Sequence, residues 1–263
     1  MRVKTAAITT NFELSGPETA PVVMLSHSLG SDLHMWDPQM PALEGRFRVL
    51  RYDTRGHGGS DAPEGAYTLE QLVTDAKELL DALAIAKVHF VGLSMGGMIA
   101  QGFALSCPER LERLVLCDTS AHMPPAAQPI IQERIDTARR QGLAALVDST
   151  LARWFTADYL RREGPGVGAI RSIFLSSSPA GYIGCTEAMR RLNYLDDLAR
   201  IRRPTLIMVG AEDPGTPVAA SEAIHERIAG SKLVVLPSAS HLGNIEQSQA
   251  FNSALTEFLE SRD

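Results

Sequence analysis

The sequence predicts an α/β fold, a mostly parallel central sheet covered by helices on both faces, with one helical insertion. Three observations predict it. Short apolar runs alternate with stretches of helical spacing. That alternation stops near Ala121 and resumes near residue 205. A serine between glycines, Gly92-Leu93-Ser94-Met95-Gly96, also follows an apolar run and opens a helix-like segment. In that setting a sharp strand-to-helix turn holds a hydroxyl clear of the sheet, and the glycines let the backbone pack through the bend.

Taken in order, residues 3–12 read as an edge hairpin strand, 21–26 as the first buried strand and 47–52 as the next. Residues 69–83 place Leu72, Val73, Ala76, Leu79, Leu80 and Leu83 at helical spacing. Val88–Leu93 reads as a strand, Met95–Ser106 as the helix after the serine, and Leu111–Cys117 as another strand. From 121 to 195 the period is helical, broken by Pro124-Pro125, Gly164-Pro165-Gly166 and Ser176-Ser177-Ser178-Pro179. Strands at 205–209 and Lys232–Leu236 then alternate with helices at 218–228 and 245–259. The division is therefore a core of residues 1–120 and 196–263, with 121–195 as a helical cap (lid) over one end of the sheet.

Composition narrows the function. The 263 residues are 44% hydrophobic and 21% charged, ordinary values for a globular protein. A net charge of −6 argues against nucleic acid as the main partner. No apolar stretch approaches the ~18 residues that span a bilayer, and the N-terminus alternates polar and apolar residues, unlike a signal peptide. The three scattered cysteines form no metal-ligand pattern, which suggests core thiols and a cytoplasmic setting. The charge is uneven. Residues 121–195 carry nine arginines, no lysine and six acids, a net +3, leaving −9 on the rest. Such a segment could steer a small anion to a site beneath it, although most of its arginines are expected on solvated helix faces.

A serine hydroxyl needs a base, and the base needs an orienting group. When the nucleophile sits on a strand-to-helix elbow, the chain order is serine, acid, histidine. Asp213 follows the strand at 205–209, and His241 follows Lys232–Leu236, so both lie at the carboxyl ends of parallel strands, where Ser94 also emerges. His122 is the rival base, and Glu212 and Asp118 are the rival acids. The oxyanion of a tetrahedral intermediate needs two backbone N–H donors. Met95, at a helix N-terminus, and Leu29, in the loop after the first buried strand, are the candidates. The stretch from Arg51 to Ser60 reads as a structural turn, with Asp53 and Arg55 expected to pair and no chemical role expected for His57.

Together these residues resemble the α/β-hydrolase superfamily and, within it, the 3-oxoadipate enol-lactonases. The likeness runs over nearly the whole chain. It is carried by HSLGSDLHMWDPQ (27–39), VLRYDTRGHGGSDAP (49–63), VGLSMGGMIAQ (91–101), SSPAGYIGCTEAMRRLN (177–193), PTLIMVGAEDPGTP (204–217) and SASHLGNIEQ (238–247). One departure is Ser28, where many relatives have the glycine of an HG pair. The resemblance implies hydrolysis of a five-membered enol-lactone bearing an acetate side chain, in bacterial degradation of protocatechuate or catechol. Neither a cofactor nor a metal is required. The substrate would be a small anion, with Arg190 the first choice to grip its carboxylate, Arg191 the alternative, and Trp36 and Trp154 candidates for the ring pocket. The alternatives on the same fold are a carboxylesterase, a carbon–carbon bond hydrolase and a cofactor-free perhydrolase. A ligand sensor that retains the fold is a third reading.

Overall fold

The computed structural model describes residues 1–261. Eight strands form one sheet in the spatial order β1-β2-β4-β3-β5-β6-β7-β8. They are β1 (Arg2–Lys4), β2 (Thr9–Ser15), β3 (Val22–Ser26), β4 (Arg48–Tyr52), β5 (Val88–Leu93), β6 (Leu111–Cys117), β7 (Thr205–Gly210) and β8 (Lys232–Leu236). Only the β1–β2 and β2–β4 pairings are antiparallel. The run at 3–12 is thus two strands. Thr5 N–H donates to Ile8 O at 2.9 Å and closes a turn in the middle of the run. The turn falls on Ala6 and Ala7, and no Gly, Pro, Asn or Asp marks it in the sequence.

Successive residues of the central strands point to opposite faces. Met24, Phe90, Leu114 and Leu116 pack into one buried cluster, and Val23, Leu25, Val91, Leu93, Val115 and Cys117 into another. Such two-sided burial is expected of a parallel sheet. The helices before the insertion are α1 (Met40–Leu43), α2 (Leu69–Ala82) and α3 (Met95–Ser106). A capping box at Thr68 and Gln71 starts α2, which buries Leu72, Val73, Ala76, Leu79 and Leu80 against the first cluster.

Between β6 and β7 come α4 (Gln128–Gln141), α5 (Val147–Trp154), α6 (Ala157–Arg161), α7 (Val167–Ser176) and α8 (Pro179–Met189). The ends of this stretch are stitched together. His122 bridges Asn193, Met123 N–H donates to Leu192 O at 3.0 Å, and Tyr194 N–H donates to Ala121 O at 2.7 Å. Its last helix touches the turn after β4 backbone to backbone. A Cβ on Gly181 would fall 1.9 Å from Gly56 O, and one on Gly56 would fall 2.5 Å from Gly181 Cα.

The chain closes with α9 (Val218–Arg227), α10 (Gly243–Glu246) and α11 (Ser248–Glu260). The single helix expected at 245–259 is broken at Gln247, whose φ of −123° and ψ of 45° leave the helical region. In the turn after β4, Arg55 does not pair with Asp53. Its guanidinium grips Asp75 of α2 with two hydrogen bonds of 2.7 and 2.6 Å. Asp53 instead accepts the N–H groups of Leu33 and Gly59, both at 2.8 Å, and Asn11 Nδ2 at 2.7 Å. No helix among the described residues is long and apolar enough to cross a membrane.

Candidate active site

Strand order reverses at β3 and β5: the chain runs outward from β3 to β4, then crosses back to β5 on the other side. Ligands in open α/β sheets bind at such a switch point, beyond the carboxyl ends of the strands. Ser26 and Gly92, near those ends, are register partners. Ser94 follows β5 with φ 57° and ψ −115°, a strained conformation for a residue with a Cβ. Its neighbours hold it there. Ser94 N–H donates to Cys117 O at 2.9 Å, and Thr119 Oγ1 donates to Ser94 O at 2.8 Å. The tight fit explains the glycines. A Cβ on Gly92 would lie 2.1 Å from Gly96 O, and one on Gly96 would lie 2.1 Å from Ser26 O.

Asp213 lies three residues beyond β7, and His241 five beyond β8. His241 Nδ1 sits 2.7 Å from Asp213 Oδ2. Asp213 also accepts Gly215 N–H at 2.7 Å, Thr216 N–H at 3.1 Å and Thr216 Oγ1 at 2.5 Å. Burial alone would raise its pKa. The charge of His241, and hydrogen bonds from His241 and Thr216, outweigh that and hold it at about 2. A carboxylate so held fixes the proton of His241 on Nδ1 and leaves Nε2 as the acceptor. Ser94 and His241 open on one cavity of about 490 Å³, a volume that suits a small organic ligand. No hydrogen bond joins Ser94 Oγ to His241 Nε2 among the described residues; such contacts are often loose without substrate.

The rivals fall elsewhere. Asp118 is fully buried with φ 43°. Its Oδ1 accepts Gly210 N–H at 2.8 Å, its Oδ2 has no partner among the described residues, and burial raises its pKa well above the usual carboxylate value. Glu212 is exposed, as is His122, although His122 also borders the cavity.

Met95 is the first residue of α3, so its N–H has no acceptor within the helix. Leu29 lines the cavity beside Ser94, and its N–H has no backbone or side-chain partner among the described residues. Ser28 does not have a positive φ, so the loop accepts a serine where relatives have glycine.

The substrate-pocket expectations need correction. Arg190 does not reach the cavity. It is occupied at the C-terminal end of α8, 3.0 Å from Glu187 and donating to Gln128 and Gln132 of α4 at 3.2 and 3.1 Å. Arg191 is exposed. Trp36 is sealed in the core below the sheet, its ring 6.3 Å from that of Phe251. Trp154 does line the cavity, edge-on to Phe174 at 5.8 Å.

Two arginines that motif reading did not single out line the same cavity, Arg134 and Arg153. Among the described residues Arg134 is tied to neutral groups only, Tyr182 Oη at 2.6 Å and Thr150 Oγ1 at 3.0 Å. The Arg153 guanidinium has no hydrogen bond or ion pair among the described residues, and burial, followed by the charge of Arg134, lowers it to about 10. Nothing in the helical period of 121–195 tells which of nine arginines turns inward. Thr216 was legible in principle, because an aspartate followed three residues later by a threonine is a common local capping arrangement.

Comparison with known proteins bears on the fold and family. A model of the alpha/beta hydrolase fold matches residues 21–248. The chain is 38% identical over 245 residues to 3-oxoadipate enol-lactonase 2 of Acinetobacter baylyi, covering 93% of this chain and 91% of that one. It is 30% identical over 240 residues to a putative carbamate hydrolase RutD of a Caulobacter species, covering 90% of each. Among solved structures, the enol-lactonase from Burkholderia xenovorans superposes with a TM-score of 0.95 at 39% identity, covering 99% of this chain and 100% of that one. With the sheet order, the strained serine between close-packed glycines and this likeness in hand, the chain belongs to the α/β-hydrolase family.

Proposed function

We propose that this protein hydrolyses 3-oxoadipate enol-lactone to 3-oxoadipate, through an acyl-enzyme on Ser94, in the cytoplasmic breakdown of aromatic compounds. The observation that carries the reading is the company Ser94 keeps: one chamber holds the serine, the His241 base and the unpaired Arg153 guanidinium. In this reading residues 121–195 act as the cap, and the cap supplies the cation.

The lactone binds with its acetate carboxylate on Arg153, a charge-assisted contact in a partly buried setting, with Arg134 adding positive potential beside it. Ser94 Oγ attacks the ring carbonyl while His241 Nε2 takes its proton and Asp213 steadies the imidazolium. The N–H groups of Leu29 and Met95 hold the oxyanion, the latter aided by the dipole of α3. Collapse breaks the ring C–O bond. The leaving enolate oxygen takes the proton from His241 to give an enol that stays tethered in the acyl chain, and the enol tautomerises to the ketone as its carbon gains a proton and its oxygen loses one to solvent. His241 then draws a proton from water, which attacks the acyl-enzyme and returns Ser94.

The test is a spectrophotometric assay on freshly generated enol-lactone. Wild-type protein consumes it in many turnovers and the Ser94→Ala variant does not; equal rates would overturn the scheme. A second reading, hydrolysis of a neutral ester or carbamate, draws on the 30% identity to a putative carbamate hydrolase. It has no use for Arg153, and that residue separates the two.

A further inference from the structure

We infer that His27 is a positioning residue for catalysis: its Nδ1–H, bound to Ser28 O, fixes the peptide unit whose other end is the Leu29 N–H. The inference rests on the reading above only in taking Leu29 as an oxyanion donor. A peptide unit is planar and trans, so its C=O and N–H point in opposite directions. Fixing the direction of Ser28 O therefore fixes the direction of the Leu29 N–H.

His27 Nδ1 lies 2.7 Å from Ser28 O, and Ser31 N–H reaches the same oxygen at 3.2 Å. A carbonyl only accepts, so Nδ1 carries a proton. His27 Nε2 in turn accepts Thr54 N–H at 2.9 Å, so Nε2 carries none. The two ends of the ring thus select one neutral tautomer. His57 repeats the arrangement on the far side of Leu29, its Nε2 accepting Gly30 N–H at 2.9 Å and its Nδ1 donating to Arg55 O at 3.2 Å. The two rings lie 5.2 Å apart, both buried, and burial lowers His27 to about 4 and His57 to about 3. Both stay neutral near pH 7 and keep these bonds.

The arrangement answers a physical difficulty. An N–H with no protein partner invites its peptide to rotate and find one. The imidazole behind Ser28 O opposes that rotation, and a carbonyl that accepts a strong hydrogen bond polarises its own amide, which strengthens the N–H as a donor. The 54–57 turn, read from sequence as structural, thereby becomes the backing of the site.

The experiment compares two amides. In His27→Asn the side-chain nitrogen stands near Nδ1 and keeps the donor to Ser28 O. In His27→Gln the amide reaches the Nε2 position, keeps a partner for Thr54 N–H and loses that donor. Acylation by p-nitrophenyl acetate is followed by stopped flow. Asn is expected to keep the acylation rate within about fivefold. Gln is expected to lower it on the order of 10–100-fold, with the ester's binding constant unchanged within about twofold and benzeneboronic acid bound correspondingly less tightly. Equal losses in the two variants, or a greater loss in Asn, would overturn the inference. Nitrogen-15 NMR of histidine-labelled wild-type protein reads the tautomer without any substitution. A neutral Nδ1–H form of His27 is expected, and an Nε2–H form overturns the inference even where a variant does not fold. Failure of the lactonase reading looks different: wild-type protein then turns over the ester and leaves the lactone untouched.

Discussion

The strand tips and the helical stretch between β6 and β7 face each other across one cavity, and they are built on different rules. At the tips, position follows from register. Ser26 pairs with Gly92 and Gly210 with Leu236, so the loops bearing Leu29, Ser94, Asp213 and His241 leave the sheet at one rim. In the helical stretch, position follows from how each helix is rolled about its axis. Arg153 and Trp154 on α5 look into the cavity, whereas Arg190 at the end of α8 looks away and is spent on Glu187. The difference teaches that one wall of the cavity is set by sheet register and the other by helix roll.

The largest expected effects lie at the tips. Ser94→Ala should lower kcat/KM by at least about 10⁴-fold on every ester or lactone tried, and Asp213→Asn by about 10⁴-fold, because it favours the wrong tautomer of His241. Steady-state assays on one anionic and one neutral substrate check this. A loss confined to the anionic substrate would break the separation of roles.

Next comes the cap. Arg153→Met should lower kcat/KM on the anionic enol-lactone by about 100-fold, the scale of a lost charged hydrogen-bonded pair, with less than about threefold change on a neutral short-chain ester. Arg190→Met should change neither by more than about twofold. The opposite ranking would mean that the inward-facing arginine is not the one that recognises the ligand.

The seam between the regions comes third. Gly181→Ala forces a methyl into Gly56 O and should destabilise the fold by about 1–3 kcal/mol. Gly168→Ala in α7 meets nothing within 4 Å and should instead stabilise by about 0.5–1 kcal/mol. Thermal or urea unfolding reads both.

The smallest effect is a pH slope. His57 sits at about 3 in the fold against 6.5 when free. Between those values the unfolded chain binds a proton that the folded chain refuses, so acid favours unfolding and stability is lost as pH falls below about 6.5. Wild-type protein should therefore lose stability faster than His57→Gln between about pH 6 and 4, by up to about 1.4 kcal/mol per pH unit. Urea titrations of both proteins at several pH values measure the gap.

What the sequence disclosed follows the same division. The sheet was legible because buried parallel strands are short apolar runs, and loops that follow them must lie at one edge. Ser94, Asp213 and His241 could be placed together at one rim from that argument and the chain order alone. The inward arginines could not, since every arginine of the stretch looks alike until the helices are packed. Trp36 misled because a large aromatic in a family motif can fill the core as readily as a pocket. Asp53 misled by nearness in sequence, when the guanidinium of Arg55 spans 20 residues to reach Asp75. The role of His27 was hidden because a backbone direction leaves no mark on residue pattern.

The stitch joining 121–123 to 192–194 has a consequence for how such an enzyme could change its diet. Entry and exit of the whole excursion lie one hydrogen bond apart, and lengthening or replacing a loop whose ends are already tied costs little chain entropy. The excursion is thus a cartridge: it can be exchanged for another of different length and lining while the strand-tip loops beneath are left as they stand.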